Sequence, residues 1–311
     1  MDVCIGAFSN TLKGRKSEEN MELTGKEIRK SYGKKEVLCG IDLTLEEHKI
    51  YGLIGRNGAG KTTLLSVLTA QSPLTSGSVT LDGEPVWENK KSLSHLCFAR
   101  EISQMTGSGI AAVKAKDYLK VARTFCPHWD QEMADHLISQ FHLDVKKRIS
   151  KLSKGMVSML TIIVGLASKA DITILDEPTS GLDVIAREKF YQLLMEEYTE
   201  TNRTFVISTH IIEEAEDIFE DVIILDEGKI LRNENTQELL ERSFHVSGLA
   251  DEVDAACAGL TVYHEETIGR SKGVTVVLEN GQQIAPGHEV KIQKLNLQKL
   301  FVALCEKDEE A

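Results

Sequence analysis

The segment Gly55-Arg56-Asn57-Gly58-Ala59-Gly60-Lys61-Thr62-Thr63 constrains this chain more than any other, because it matches G-x-x-x-x-G-K-[ST]. It lies between an apolar strand-like run, Lys49–Ile54, and a helix-like run, Thr62–Ala70. At such a junction, backbone N–H groups at the helix N-terminus can wrap a phosphate. Glycines let the backbone come close, Lys61 offers a point charge for β- and γ-phosphates, and the Thr62 hydroxyl can ligate Mg²⁺. The competing reading is a tight strand-to-helix turn with an incidental lysine.

Around this loop the pattern is that of an α/β protein with a mostly parallel core sheet. Period-two runs at Glu22–Arg29, Val37–Leu45 and Lys49–Ile54 predict strands, and Ser78–Val86 predicts a hairpin turning at Asp82-Gly83. From about 90 to 168 the spacing turns helical, with Ala115–Phe125, Asp130–Phe141 and Met156–Ala167 forming a helical insertion. Strand-like Asp171–Leu175, Thr204–Ser208 and Val222–Leu225 then alternate with helix-like Val184–Glu200 and Glu213–Phe219, a βαβ alternation that puts helices on both faces of a sheet. Residues 245–311 read as a small C-terminal α+β appendage with strands near 244–247, 261–263 and 273–278, a helix at Leu297–Cys305 and a solvated tail. Residues 1–20 read as a flexible N-terminal extension, or an upstream start ahead of Met21, without the apolar core of a signal peptide.

Composition narrows the partners. A net charge of −12 argues against a general nucleic-acid binder, since phosphate-backbone contact is dominated by Lys and Arg. No run reaches the roughly 18–20 apolar residues of a membrane helix, so no direct membrane insertion is expected. The six cysteines form no CxxC pair and read as buried or idle thiols of a reducing compartment.

Ile172-Thr-Ile-Leu-Asp-Glu-Pro178 is an apolar run ending in two carboxylates. Alone, such a pair is most often a solvated turn. Beside a phosphate loop it stands where an open α/β sheet gathers ligand groups, at the carboxyl ends of its strands. Asp176 is then placed to hold Mg²⁺ through water, and Glu177 to orient and deprotonate an attacking water. The run ending Ser208-Thr-His210 aims a histidine at the same place, although a lone histidine is more often structural.

Together and in this order, these segments resemble the ATP-binding subunit of ATP-binding cassette (ABC) transporters over about residues 21–235. The phosphate loop is Gly55–Thr63, the signature is Leu152-Ser-Lys-Gly-Met156, the metal strand with its catalytic glutamate is Ile172–Pro178, Ser180-Gly-Leu-Asp183 is similar to the D-loop, and His210 matches the switch histidine. Tyr32 stands where the family stacks a ring on adenine. The resemblance implies a P-loop NTPase of ABC type spanning 21–240. It further implies ATP and Mg²⁺ as ligands, ATP hydrolysis, and pairing with a second ATP-binding subunit, as homodimer or heterodimer. Ser153 and Gly155 would then touch the γ-phosphate bound by the partner, and Asp183 would belong to the nucleotide site. It also implies docking on transmembrane permease subunits at the inner face of the cell membrane, with the protein itself cytoplasmic and peripheral.

Two motifs depart from the family pattern. Lys154 and Met156 replace a glycine and the glutamine of the usual Leu-Ser-Gly-Gly-Gln signature. The Q-loop register puts Glu101 where glutamine is expected, with Gln104 three residues later, and Gln104 is taken as the nucleotide- and metal-contacting residue. Weaker similarities, Phe125-Cys-Pro-His-Trp-Asp130 among them, look like the bacterial antibiotic-type exporter branch. The alternative is a soluble ABC-type ATPase of translation or DNA maintenance, disfavoured by the acidic balance and by the lack of a second cassette, coiled coil or zinc module.

Overall fold

The computed structural model describes residues 21–102, 109–279 and 281–306. The expected flexible extension, Gln104 and the last five residues of the tail lie outside these.

An antiparallel sheet comes first, built from β1 (Glu22–Tyr32), β2 (Lys35–Glu46), β4 (Ser76–Leu81) and the short β5 (Glu84–Pro85) in the order β2-β1-β4-β5. Asp82 and Gly83 both take positive φ, 52° and 77°, the backbone a two-residue hairpin turn demands. Between these strands run β3 (Ile50–Ile54) and helix α1 (Lys61–Leu68), which belong to the second layer. Past the hairpin come the five-residue α2 (Lys90–Ser94) and β6 (Leu96–Ala99).

The core sheet has the order β10-β9-β3-β8-β7-β6, with β7 at Ile172–Asp176, β8 at Thr204–Thr209, β9 at Asp221–Asp226 and β10 at Lys229–Asn235. All neighbours pair in parallel except β10, which runs antiparallel to β9 along the edge. Strands β3, β7 and β8 are buried at every position, as continuous apolar runs covered on both faces must be. Alternation within them divides two cores. Tyr51, Leu53, Ile174, Val206 and Ile223 face α1 and the antiparallel sheet. Ile50, Ile54, Leu175, Phe205 and Ile207 face the helices on the other side.

Those helices are α3 (Ala115–Phe125), α4 (Gln131–Gln140), α5 (Lys154–Ala167) and α6 (Val184–Thr201). Side-chain oxygens of Asp130, Ser153 and Asp183 cap α4, α5 and α6 by accepting from the backbone N–H groups of Met133, Met156 and Ala186. α5 is apolar almost all round and correspondingly buried from Val157 to Ala167, with Met159 only partly covered. Its approach to the sheet is close: a Cβ on Gly165 would stand 2.5 Å from Leu175 Cδ2.

The third sheet has the order β12-β13-β11-β14, all antiparallel: β11 (Ser243–Leu249), β12 (Val262–Ile268), β13 (Ser271–Val277) and β14 (Val290–Lys294). α7 (Thr236–Glu241) leads into it and α8 (Ala250–Ala256) covers one face around Val246, Val253, Val274 and Val276. The chain then returns through α9 (Leu297–Cys305), whose Leu297, Leu300 and Cys305 join the larger apolar core, while the Leu297 N–H donates to Glu216 at 2.9 Å.

Two expectations are corrected. Leu96–Ala99, inside the range read as helical, is an edge strand; four residues are too few for periodicity to separate strand from helix, and their pairing with β7 decides. Glu213–Phe219 forms only a single 3₁₀ turn at Glu216–Ile218, because Phe219 turns inward against Gly52 of β3. β10, α7, α8 and β14 are additional elements, short or polar and without a strong apolar period. Among the cysteines, Cys97 is buried, and the adjacent Cys126 thiol, followed by burial itself, raises its pKa well above the ordinary value. That favours the inert thiol over the nucleophilic thiolate.

Since Gly165 lets α5 press on β7, Gly165→Val is expected to destabilise the protein by about 1–3 kcal/mol, the usual cost of overpacking. Urea denaturation of the two proteins checks this.

Candidate functional site

Register alone brings three strand ends to one level. Ile54 of β3 lies opposite Thr209 of β8, and Ser208 of β8 opposite Asp176 of β7. The segments that follow, Gly55–Gly60, Glu177–Asp183 and His210, therefore emerge side by side.

Gly58 and Gly60 carry φ of 85° and 111°, and a Cβ on Gly55 would meet the Leu225 carbonyl at 2.5 Å. Side chains at these points would strain or block the loop. Lys61 is 7% exposed, yet its ammonium has partners: it donates to the Gly55 carbonyl at 2.7 Å and stands 3.4 Å from Glu177 Oε1. The lysine thus closes the loop on itself, which holds the backbone in its phosphate-wrapping shape.

Asp176 is 3% exposed and accepts two hydrogen bonds. Thr62 Oγ1 donates to Oδ2 at 2.8 Å and Ser208 Oγ to Oδ1 at 2.6 Å. Ser208 is the residue that sequence reasoning missed. Its carbonyl and hydroxyl also accept from the Glu177 N–H, at 3.1 and 3.0 Å. Glu177 itself takes φ of 50°, a left-handed conformation unusual for a glutamate and typical of strained functional positions. That turn sends its carboxylate between Lys61 and His210, with His210 Nδ1 2.6 Å from Oε2. The only sequence signal for Ser208 was its place two residues before His210.

Two adjoining cavities, of about 400 and 470 Å³, share Thr62, Glu101, Lys154 and Glu177 in their walls. The first contains Asp176; the second runs along Arg56, Asn57, Gly58, Gly60 and Thr63 to His210. Ala59 is buried beneath the loop, its carbonyl accepting from the Gly228 N–H at 3.0 Å. As a donor set, the hydroxyl of Thr62 and the carboxylate of Asp176 suit Mg²⁺, a hard ion that takes one or two carboxylates and fills its remaining positions with water and phosphate oxygens.

The other expected residues stand differently. Tyr32 is 53% exposed at the β1–β2 turn under the Lys30 ammonium and, among the described residues, does not line these cavities; Val37 of β2 does. Ser153 caps α5, and Gly155 lies so near Gly181 that a Cβ would stand 2.6 Å from its carbonyl. Neither lines the cavities of its own chain, whereas Lys154 between them does. Asp183 caps α6 through Ala186 N–H at 2.8 Å. Gln104 lies outside the described residues, and Glu101 occupies the wall.

Residues 38–180 match the family model described as ABC transporter. The bacitracin transport ATP-binding protein BcrA of Bacillus licheniformis is 32% identical over 70% of this chain and 71% of its own length. The lantibiotic transport ATP-binding protein SrtF of Streptococcus pyogenes is 30% identical over 68% of this chain and 93% of its own. Among solved structures, a dimeric ATP-binding cassette in a post-hydrolysis state with ADP and Pi superimposes with a TM-score of 0.59 at 23% identity, covering 69% of this chain and 98% of that one.

Removing the Ser208 hydroxyl leaves the buried Asp176 carboxylate with one donor fewer. Ser208→Ala is expected to lower the unfolding free energy by about 1–3 kcal/mol, read from its thermal midpoint.

Proposed function

The chain belongs to the ABC transporter family as an ATP-binding protein, and from that premise we propose that it drives export of a lipophilic or peptide compound through separately encoded transmembrane subunits. It binds and hydrolyses ATP, the activity of its family. Relatives named for bacitracin and lantibiotic transport support a cargo of that kind and do not favour the alternative in translation or DNA maintenance. Among the described residues no helix is long and apolar enough to cross a membrane, so passage of the cargo falls to partner chains, which would hold this subunit at the inner face of the membrane.

One observation carries the catalytic reading: the Glu177 carboxylate is fixed between Lys61 at 3.4 Å and His210 at 2.6 Å, beside Asp176. Lys61 and the loop N–H groups bind the β- and γ-phosphates, with Arg56, Asn57, Gly58, Ala59 and Thr63 completing the wrap. Thr62 and Asp176 would hold Mg²⁺, whose charge offsets that of the phosphates. Glu177 accepts a proton from water and His210 fixes the carboxylate's orientation. An incoming phosphate draws Lys61 away from Glu177, which frees the base when substrate is present. Tyr32, exposed at the β1–β2 turn, is assigned to stack on adenine. Ser153 and Gly155 serve the nucleotide of a second ATP-binding subunit, and Asp183 belongs to the nucleotide site. Binding would close that dimer and hydrolysis would release it, coupling chemistry to the attached subunits.

Glu177→Gln is expected to retain ATP, to accumulate as a dimer in size-exclusion chromatography, and to lose about 10²-fold or more in turnover. Ordinary turnover by this variant removes Glu177 from the role of base. Lys61→Ala is expected to abolish nucleotide binding in equilibrium dialysis. Deleting the neighbouring permease genes should release the protein from the membrane fraction, and an unchanged distribution speaks against the transport reading.

A further inference from the structure

Lysine is an unfavourable residue with which to begin a helix, because unpaired N–H groups give that end a partial positive charge. α5 nevertheless starts at Lys154, with no acidic residue in its first turn. The side chain runs out over the loop after β7, so that a Cβ on Gly181 would come 2.7 Å from Lys154 Cγ. Its ammonium lies 3.6 Å from Glu101 Oε1, just beyond the end of β6. Helix start and sheet edge are thereby joined across the wall of both cavities, within one chain.

The charges explain why a second cation belongs there. Asp176, Glu177 and Glu101 all line the first cavity, the two glutamates line the second as well, and a triphosphate adds further negative charge next to Lys61. The Lys154–Glu101 pair is half exposed, with side chains 60% and 47% accessible, and a pair so hydrated is weakly held. It is suited to exchanging partners. The two departures from the family pattern, a lysine in the signature and a glutamate in the Q-loop register, thus meet as one pair.

We propose that Lys154 is a second phosphate-binding cation of its own subunit: Glu101 holds its ammonium over the cavity when no polyphosphate is present, and the γ-phosphate takes it over on binding. This rests on the reading of the cavity as the ATP site, and it gives a residue of the signature segment a role in its own chain, where Ser153 and Gly155 are assigned to the partner's nucleotide. Glu101 acts as a positioning residue that competes with the phosphate for the lysine.

The test is equilibrium binding of N-methylanthraniloyl-ATP and the corresponding ADP, with Mg²⁺, to the full chain at concentrations where sedimentation shows a monomer. Wild type, Lys61→Ala, Lys154→Gln, Glu101→Gln and the Lys154→Gln/Glu101→Gln double variant are compared, with thermal midpoints confirming that each is folded. Lys154→Gln is expected to weaken ATP binding about ten-fold, the size of one charge-assisted hydrogen bond, and ADP binding much less. Glu101→Gln is expected to tighten ATP binding, and only while Lys154 is present. Loss of binding in Lys61→Ala together with unchanged ATP affinity in Lys154→Gln overturns the inference and leaves the ATP site standing. A Lys154→Gln defect confined to the dimer, or an effect of Glu101→Gln that persists without Lys154, also overturns it. Undiminished binding by Lys61→Ala sinks the reading of the cavity itself.

Discussion

A carboxylate that is 3% exposed at the end of the central sheet has to be satisfied, and two hydroxyls do it for Asp176. Thr62 belongs to the phosphate loop and Ser208 to the neighbouring strand β8, so one buried charge ties three strand ends into a fixed geometry. Burial without those donors would carry a large desolvation cost. The parallel register supplies the alignment, and the hydrogen bonds lock it.

Pre-organisation extends outward from this point. The positive φ of Gly58 and Gly60 shapes the loop, Lys61 closes it through the Gly55 carbonyl, and the strained backbone of Glu177 turns its carboxylate toward His210. The loop backbone needs little rearrangement when a charged ligand arrives, because its dipoles already point to where it will sit, while the Lys61 ammonium exchanges a protein partner for phosphate. The two apolar cores on opposite faces of the sheet hold these strands from both sides, and α5, pressed onto β7 at Gly165, couples the signature segment to the acidic pair.

The parts legible in the sequence are those written in adjacent residues. The phosphate loop, the Asp176-Glu177 run and the long apolar helices announce themselves through local spacing and periodicity. What stayed hidden depends on contact between distant segments. Ser208 matters because β8 lies between β3 and β7, and strand order is not encoded in any one stretch. Lys154 meets Glu101 across more than fifty intervening positions, where each looked like a separate departure from a pattern. β6 and the short helices α7 and α8 hold too few residues for a period to register.

The return of α9 into the larger core bears on how the C-terminal sheet behaves mechanically. A unit strung on a peptide linker would tumble independently; this one is anchored at entry by α7 and at exit by Leu297 and Leu300. At the exit, the Leu297 N–H bonded to Glu216 ties the chain to the 3₁₀ turn before Phe219, which packs on Gly52 of β3. Held at both ends, the C-terminal sheet has its position set by the ATP-binding layer and not by a free linker.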